Sequence, residues 1–400
     1  MSKQNKDGQG ERSLIGTIIG LVVVVAALIF TQITGIDLIS ILEETGEEVV
    51  IEAPPADTSG AVTLVSIPQG SGAQKGFWEV YFNAPTGSSD PSTYTGSIDT
   101  RLEQDIDAVQ RTLDIAAFEF NNERLTEAVL DANARGVRVR IVTDDEHGLE
   151  DDDSSIARFI NAGIPVVDDS RTGLMHNKFM ILDSTKVWTG SWNYTVNGTY
   201  RNNNNALVLR AQRAVQAYQT EFEEMFDRRE FGITSTTGTA RFRQDGTPVQ
   251  IFFAAEDDVN TAILQQINTA EESIRFMTFS FTRDDIGEAM RQQAAAGIDV
   301  NGIFEVLGSE TRFSEMPPMF CAGLDVRQDG NSYRLHHKVI IIDDDTVLTG
   351  SFNFSDNATE SNDENLVIIE DSDLAALYIQ EFQARFAEAT PPDAEDITCR

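Results

Sequence analysis

The chain has 400 residues, 41% of them hydrophobic, enough to bury one large core or two ordinary ones. Its 65 acidic residues outnumber 30 basic ones, and the formal net charge of −35 argues against long-range attraction of polyanionic nucleic acid unless a cleft is locally positive. The plain account of that charge is a solvated acidic surface suited to salty or extracellular surroundings.

In chain order, residues 1–13 are polar and carry Lys3, Lys6 and Arg12; an apolar run from Leu14 to Phe30 follows and continues weakly through Ile33. The run is about membrane length, and no small-x-small cleavage site or lipid-accepting cysteine follows it. A transmembrane signal anchor over 14–34 is expected rather than a cleaved signal. Basic residues precede the span, whereas Asp37, Glu43, Glu44, Glu47 and Glu48 follow it, so 1–13 should stay cytoplasmic. The protein would then be single-pass in the cell membrane with its catalytic body extracytoplasmic. Residues 35–74, with Ala53-Pro54-Pro55-Ala56, read as a linker.

The first half, 75–229, begins with a strand at Phe77–Phe82, followed by a polar loop at about 85–97 and a helix over 98–112. A buried strand at 113–120, a helix at 122–135 and a strand at 137–143 come next. The second half, 249–390, repeats this series with strands at 249–253, 274–281 and 300–306 and helices at 257–270 and 284–296. Gly136 and Gly297 stop corresponding helices. Each half closes with a strand (206–209, 366–369) and an amphipathic helix (211–226, 372–386), leaving 230–248 as a connector and 391–400 as a loose tail. The alternation argues for an α/β fold: two similar α/β/α sandwich halves from a tandem repeat, packed with the active site between them, plus the N-terminal transmembrane helix. Cys321 and Cys399 lack metal-ligand spacing; one disulfide and two free thiols are both open.

Between these elements lies the stretch around which the chain is organised. His176-Asn177-Lys178 runs into apolar residues up to Asp183, and Gly190-Ser191-Trp192-Asn193 follows. The same residue types return 160 positions later as His336-His337-Lys338, Asp343 and Gly350-Ser351-Phe352-Asn353. On a strand, side chains alternate faces, so each His shares a face with its Lys, whereas Asp183 and Asp343 point the other way and more naturally lock the strand into the fold. Two imidazoles beside two ammonium groups make a compact cationic site suited to a phosphate diester; lysine is not a zinc ligand, and neither metal nor cofactor is expected. His337 faces away from the site and reads as packing. His147, in the acidic loop Asp144-Asp145-Glu146-His147-Gly148, reads as a solvated loop residue.

The duplicated His-x-Lys-x4-Asp-x6-Gly-Ser-x-Asn pattern resembles the phospholipase D superfamily, over about residues 78–386. The resemblance implies a catalytic set of His176, Lys178, Asp183, His336, Lys338 and Asp343, and a substrate-binding set of Ser191, Asn193, Ser351, Asn353, Asn204 and Glu364. It also implies a phosphohistidine mechanism, which the residue types allow: one His attacks phosphorus, the other protonates the leaving group and then deprotonates water or an alcohol. Lys178, Lys338, Asn193 and Asn353 would hold the charged oxygens. The halves differ where Asn204 aligns with Glu364, a position at which the family places a carboxylate or amide against a catalytic His. If Glu364 contacts His336, that His suits the acid and His176 the nucleophile.

The expected function is metal-independent hydrolysis of phospholipid diesters at a membrane surface, by a monomer because both motifs lie in one chain. A nuclease of the same superfamily is the alternative and would need a basic groove. A phosphate-binding scaffold would not require both histidines.

Overall fold

The computed structural model describes residues 60–236, 238–395 and 397–399. The anchor expected at 14–34 and the tether up to residue 59 lie outside the described residues. Among the described residues no helix is long and apolar enough to cross a membrane.

Each half is built on one mixed sheet. In the first, nine strands run in the order Thr63–Val65, Gly70–Lys75, Trp78–Asn83, Asn205–Leu209, Lys186–Gly190, Lys178–Leu182, Thr112–Ala117, Arg138–Thr143, Val166–Asp168. In the second, eight follow as Ala240–Gln244, Thr247–Ala254, Glu364–Glu370, Thr346–Gly350, Lys338–Ile342, Ser273–Thr278, Asp299–Phe304, Asp325–Gln328. The last three strands in each order are parallel, joined by crossover helices such as Glu123–Ala134 and Asp284–Ala296, and the remaining pairs are antiparallel. Strands covered on both faces read as near-continuous apolar runs such as Phe179-Met180-Ile181-Leu182, all buried.

Helices Gln212–Glu223 and Ser372–Glu388 form a layer shared by the two sheets. Tyr218 and Phe222 from one, and Leu374, Tyr378 and Phe382 from the other, join residues of both sheets in a single apolar cluster. Tyr218 packs edge-on against Phe253 of the second sheet and Tyr378 against Phe82 of the first. Each sheet buries its outer face under its own helices, in two separate clusters. The halves are therefore fastened through a common core.

Three boundary expectations change. The stretch read as linker enters the fold, because Thr63–Val65 and Gly70–Lys75 extend the first sheet past Trp78–Asn83; its Gly- and Ser-rich second strand carries little apolar signal. The connector contains the strand Ala240–Gln244, hairpinned onto Thr247–Ala254. The tail is tied down, since Thr390 bridges Gln328 and Cys399 is disulfide-bonded to Cys321. That bridge decides between the two cysteine readings.

Gly190 and Gly350 end the second motif strands with φ of +131° and +154°, and a Cβ there would lie 2.5 and 2.2 Å from the carbonyl oxygens of Asn205 and Asn365. Only glycine lets the Gly-Ser turn approach the strand that carries the histidine partners.

Candidate active site

Lys178 pairs with Ala117 and Lys338 with Thr278, the last residues of the neighbouring strands, so each His lies just beyond the edge of its own sheet. There the chain of the opposite half takes over. The His176 N–H donates to the Asp363 carbonyl at 3.0 Å and the His336 N–H to the Asn203 carbonyl at 2.9 Å. Arg334–Leu335 pairs in parallel with Asn202–Asn203, and Met175 bridges Asp363. Because each motif is clamped to the other half, the side chains that follow the clamp cross over. His176 Nδ1 lies 2.7 Å from Glu364 Oε2, and His336 Nδ1 lies 2.9 Å from Asn204 Oδ1 and 3.0 Å from the Ser191 carbonyl. The conditional pairing of Glu364 with His336 is thus corrected: the carboxylate belongs to His176 and the amide to His336.

With Nδ1 engaged by an acceptor in both rings, Nε2 is the atom left for chemistry. Phe118 packs edge-on against His176 at 4.7 Å and Phe279 against His336 at 4.8 Å, and each Phe ring also lies under the Lys of its motif, at 4.8 and 5.0 Å. Lys178 and Lys338 donate to the carbonyls of His176 and His336, at 2.6 and 3.0 Å, and Lys338 Nζ stands 3.3 Å from His336 Nε2. Burial holds both imidazoles well below the usual histidine range, and the charge of both lysines pushes the same way. Burial lowers Lys178 to about 8, against the pull of Glu364, Glu119 and Asp144; burial, with the like charge of Lys178, also holds Lys338 well below the usual lysine range. Glu364 is raised to about 7 by burial, with Lys178 pulling back. The site thus crowds four basic groups whose charged forms disfavour one another, and an anionic phosphodiester would favour their protonation.

The remaining motif residues divide by direction. Asp183 accepts from the backbone N–H groups of Gln110, Arg111 and Thr112 at 2.7 to 2.9 Å, and Asp343 from those of Glu271, Glu272 and Ser273 at 2.8 to 3.1 Å. Both sit in turns just past the ends of their strands, Leu182 and Ile342, and these bonds fasten the strand to the fold. The serines also turn away from substrate. Ser191 Oγ donates to Asn204 Oδ1 and accepts from the Asn205 N–H, whereas Ser351 Oγ accepts from the Asn365 N–H and reaches Glu364. They aim the histidine partners. Asn193 and Asn353 keep Oδ1 without a partner. Asn193 donates at 2.8 Å to Glu119, a half-buried carboxylate beside Lys178 that sequence reasoning missed; the matching strand of the second half carries Ser280.

Two further sets escaped notice because their members are remote in sequence. Asp144 and Asp169 both accept the Met175 N–H, at 3.2 and 3.0 Å, and Glu305 accepts the Leu335 N–H at 2.8 Å, so the residue before each histidine hangs from buried carboxylates. Asp144, Asp145 and Asp169 are close enough to hold a cation, but Asp144 and Asp169 are already committed to backbone N–H groups. Below the site, Asn365 bonds Asn177, Thr189 and Tyr218, and Asn205 bonds His337, Thr349 and Tyr378, each reaching into the other half. His337 is fully buried and also meets Glu381 at 3.3 Å, consistent with packing. His147 is exposed, yet its ring rests 4.7 Å from Phe118 at the rim.

A family profile described as "Cardiolipin synthase, PLD-like domain" matches residues 102–226 and 263–386. A mitochondrial cardiolipin hydrolase of Xenopus tropicalis is 39% identical over 136 residues, 34% of this chain and 64% of the relative. A phospholipase D of Rickettsia conorii is 38% identical over 125 residues, 31% of this chain and 62% of the relative. The match thus spans less than two thirds of either relative's length. The crystal structure of a phosphatidylserine synthase from Haemophilus influenzae covers 73% of this chain and 85% of its own, with a TM-score of 0.57 at 14% identity, a likeness of fold. With both profile matches containing a complete His-x-Lys and Gly-Ser-x-Asn pattern, the chain belongs to the phospholipase D superfamily.

Proposed function

We propose that the protein hydrolyses phospholipid diesters through a phosphohistidine, with His176 as nucleophile and His336 as acid. The observation that carries the reading is the crossed and unequal partnership of the two rings. Attack by His176 Nε2 on phosphorus leaves the ring cationic, and Glu364 at Nδ1 stabilises that charge. His336 has only a neutral amide and a carbonyl at Nδ1 and an ammonium 3.3 Å from Nε2, so its imidazolium gives up a proton readily. The first step forms the P–Nε2 bond, breaks the phosphorus–oxygen bond to the head group, and moves the His336 proton to the departing alkoxide. In the second step His336 takes a proton from water as its oxygen bonds to phosphorus; the P–Nε2 bond breaks and phosphatidate leaves. Lys178, Lys338 and the amides of Asn193 and Asn353 supply the polar wall for the non-bridging oxygens, and no step calls for a metal ion. The assignment expected from sequence rested on Glu364 at His336; with Glu364 at His176 instead, the same roles are proposed on a different ground, that the carboxylate serves the nucleophile.

The names of the relatives, cardiolipin hydrolase and phospholipase D, favour a lipid diester. The disulfide fits an oxidising compartment and so the extracytoplasmic placement expected of the body. Four measurements test these points. Acid quench and mass spectrometry should find phosphate on the peptide with His176, and label on His336 instead would reverse the roles. Turnover should survive exhaustive chelation. A reporter fused to the C-terminus should be active only outside the cytoplasm. On a panel of phospholipids and single-stranded DNA, lipid should be the better substrate, and cleavage of DNA alone, falling steeply with salt, would favour the nuclease.

A further inference from the structure

Among the described residues seven large hydrophobic side chains are exposed, and three of them, Val306 at 47%, Leu307 at 67% and Phe313 at 63%, stand in one loop between the strand Asp299–Phe304 and the helix Met316–Cys321. Scattered exposed apolar residues need no explanation, but three within eight positions of one loop are a local concentration. The corresponding segment of the first half, from Asp144 to Ser154, is acidic and carries only Leu149 as an exposed large hydrophobic.

The loop is built onto the site. Glu305, at its base, holds the N–H of Leu335, the residue before His336. Val306 N–H donates to Asp329, and Gln328 holds Ser309 at 3.0 Å. Arg312 and Phe313 line, with Ser280, a groove of about 870 Å³, and Ser280 follows the Phe279 ring that packs on His336. The base is thus fastened to the motif while the apolar tips face outward. Arg312 forms no ion pair among the described residues; its guanidinium lies 4.6 Å over the Phe313 ring. An unpaired cation riding on an exposed aromatic ring, in a chain of net charge −35, complements a surface that is apolar beneath and phosphate-bearing above.

We propose that residues 306–313 form a membrane-contact loop that seats the second-half lip of the site on a phospholipid bilayer, Val306, Leu307 and Phe313 entering the interface and Arg312 meeting lipid phosphate. The proposal rests on the phospholipid reading of the site and adds how substrate is reached: the loop holds the mouth of the site against the layer from which a two-chain lipid must be drawn.

The test uses the full chain. Its three tryptophans, Trp78, Trp188 and Trp192, are 0 to 2% exposed, so a change on contact with vesicles reports on a new one. The emission that Phe313→Trp adds over the unsubstituted protein should shift to the blue on mixing with phosphatidylcholine vesicles and be quenched at least about twofold when their acyl chains are brominated, as burial of the ring in the interface requires. Ile233→Trp, at a position 76% exposed outside the loop, should show neither change. Equal quenching at both positions overturns the proposal. So does a blue shift already present without vesicles, which would give the loop to a second copy or to another segment of the chain. In the kinetic arm, the double variant Leu307→Ser/Phe313→Ser should lose about tenfold in rate on vesicles and keep its rate on a monomeric short-chain phospholipid. No loss on vesicles, or equal loss on both forms, overturns the proposal. If no phospholipid is hydrolysed in any form while the Phe313→Trp variant is still quenched, the functional reading fails and the lipid contact stands.

Discussion

Position 204 is an asparagine in the first half and position 364 a glutamate in the second, and each reaches across to the histidine of the other half. The backbones around them repeat, down to the serine that aims each partner and the glycine that lets the turn close. Charge does not repeat. Glu119 faces Asn193 where the second half has Ser280, His337 occupies the place of Asn177, and an acidic lip answers an apolar one. Duplication supplied two equal scaffolds, and on the proposed mechanism single side chains fit one ring to bond phosphorus and the other to move a proton.

The largest effects should separate the rings. His176→Asn should abolish covalent intermediate and lower turnover by roughly 10⁴-fold or more. His336→Asn should slow ordinary substrates by about 10²- to 10⁴-fold yet still form phosphoryl-enzyme with a leaving group that departs without a proton. Rapid-quench measurement of burst and steady state on the two variants checks this, and a burst from His176→Asn would break the comparison.

Exchanging the partners sharpens it. Glu364→Gln should cost on the order of 10²-fold in the covalent step, because the cationic ring loses its counter-charge. Asn204→Asp should act on the other limb: a carboxylate at Nδ1 raises the pKa of His336, so the limb of the profile that reports the acid should move to higher pH. The readout is the pH profile of kcat/KM, whose position should follow the identity of residue 204.

A smaller effect should come from the lysines. With its pKa near 8, Lys178 is charged below that pH and neutral above it, so kcat/KM should fall as pH rises through about 8. The loss should approach about tenfold per pH unit. A rate still flat well above that pH would remove Lys178 from the anion site.

The mildest prediction concerns stability. Asp169, Asp363 and Glu364 are each raised by burial to about 7, and Glu305 likewise. Between the usual carboxylate range and about pH 7 the folded chain therefore binds more protons than the unfolded chain, and stability falls as pH rises through that window. Thermal unfolding followed by circular dichroism should give a higher Tm at about pH 5.5 than at about pH 8. The reverse order would mean that these acids are ionised in the fold.

Much of the molecule is legible in the sequence because it rests on local pattern. Alternation placed His176 with Lys178 and turned Asp183 away; apolar runs bounded by glycine located the strands and helices; the 160-residue repeat implied two alike halves. Periodicity could not find Glu119, because a lone carboxylate after an apolar strand has no signature. Nor could it show Asp144 and Asp169 gripping Met175, since their distance along the chain hides their nearness in space.

What sequence alone determined was the set of groups named for the candidate site, two imidazoles, two ammonium groups and two amides, read from the strand period and the repeat. Which group partners which was decided by tertiary structure. An alignment sets Glu364 beside its own half's His336, but the N–H of His176 is clamped to Asp363 and that of His336 to Asn203, so the neighbouring side chains are delivered across the interface. Hydrogen bonds between strand ends of different halves obey the geometry of the packed sheets rather than order along the chain. The same packing engaged the hydroxyls of Ser191 and Ser351 with the strands that carry the histidine partners.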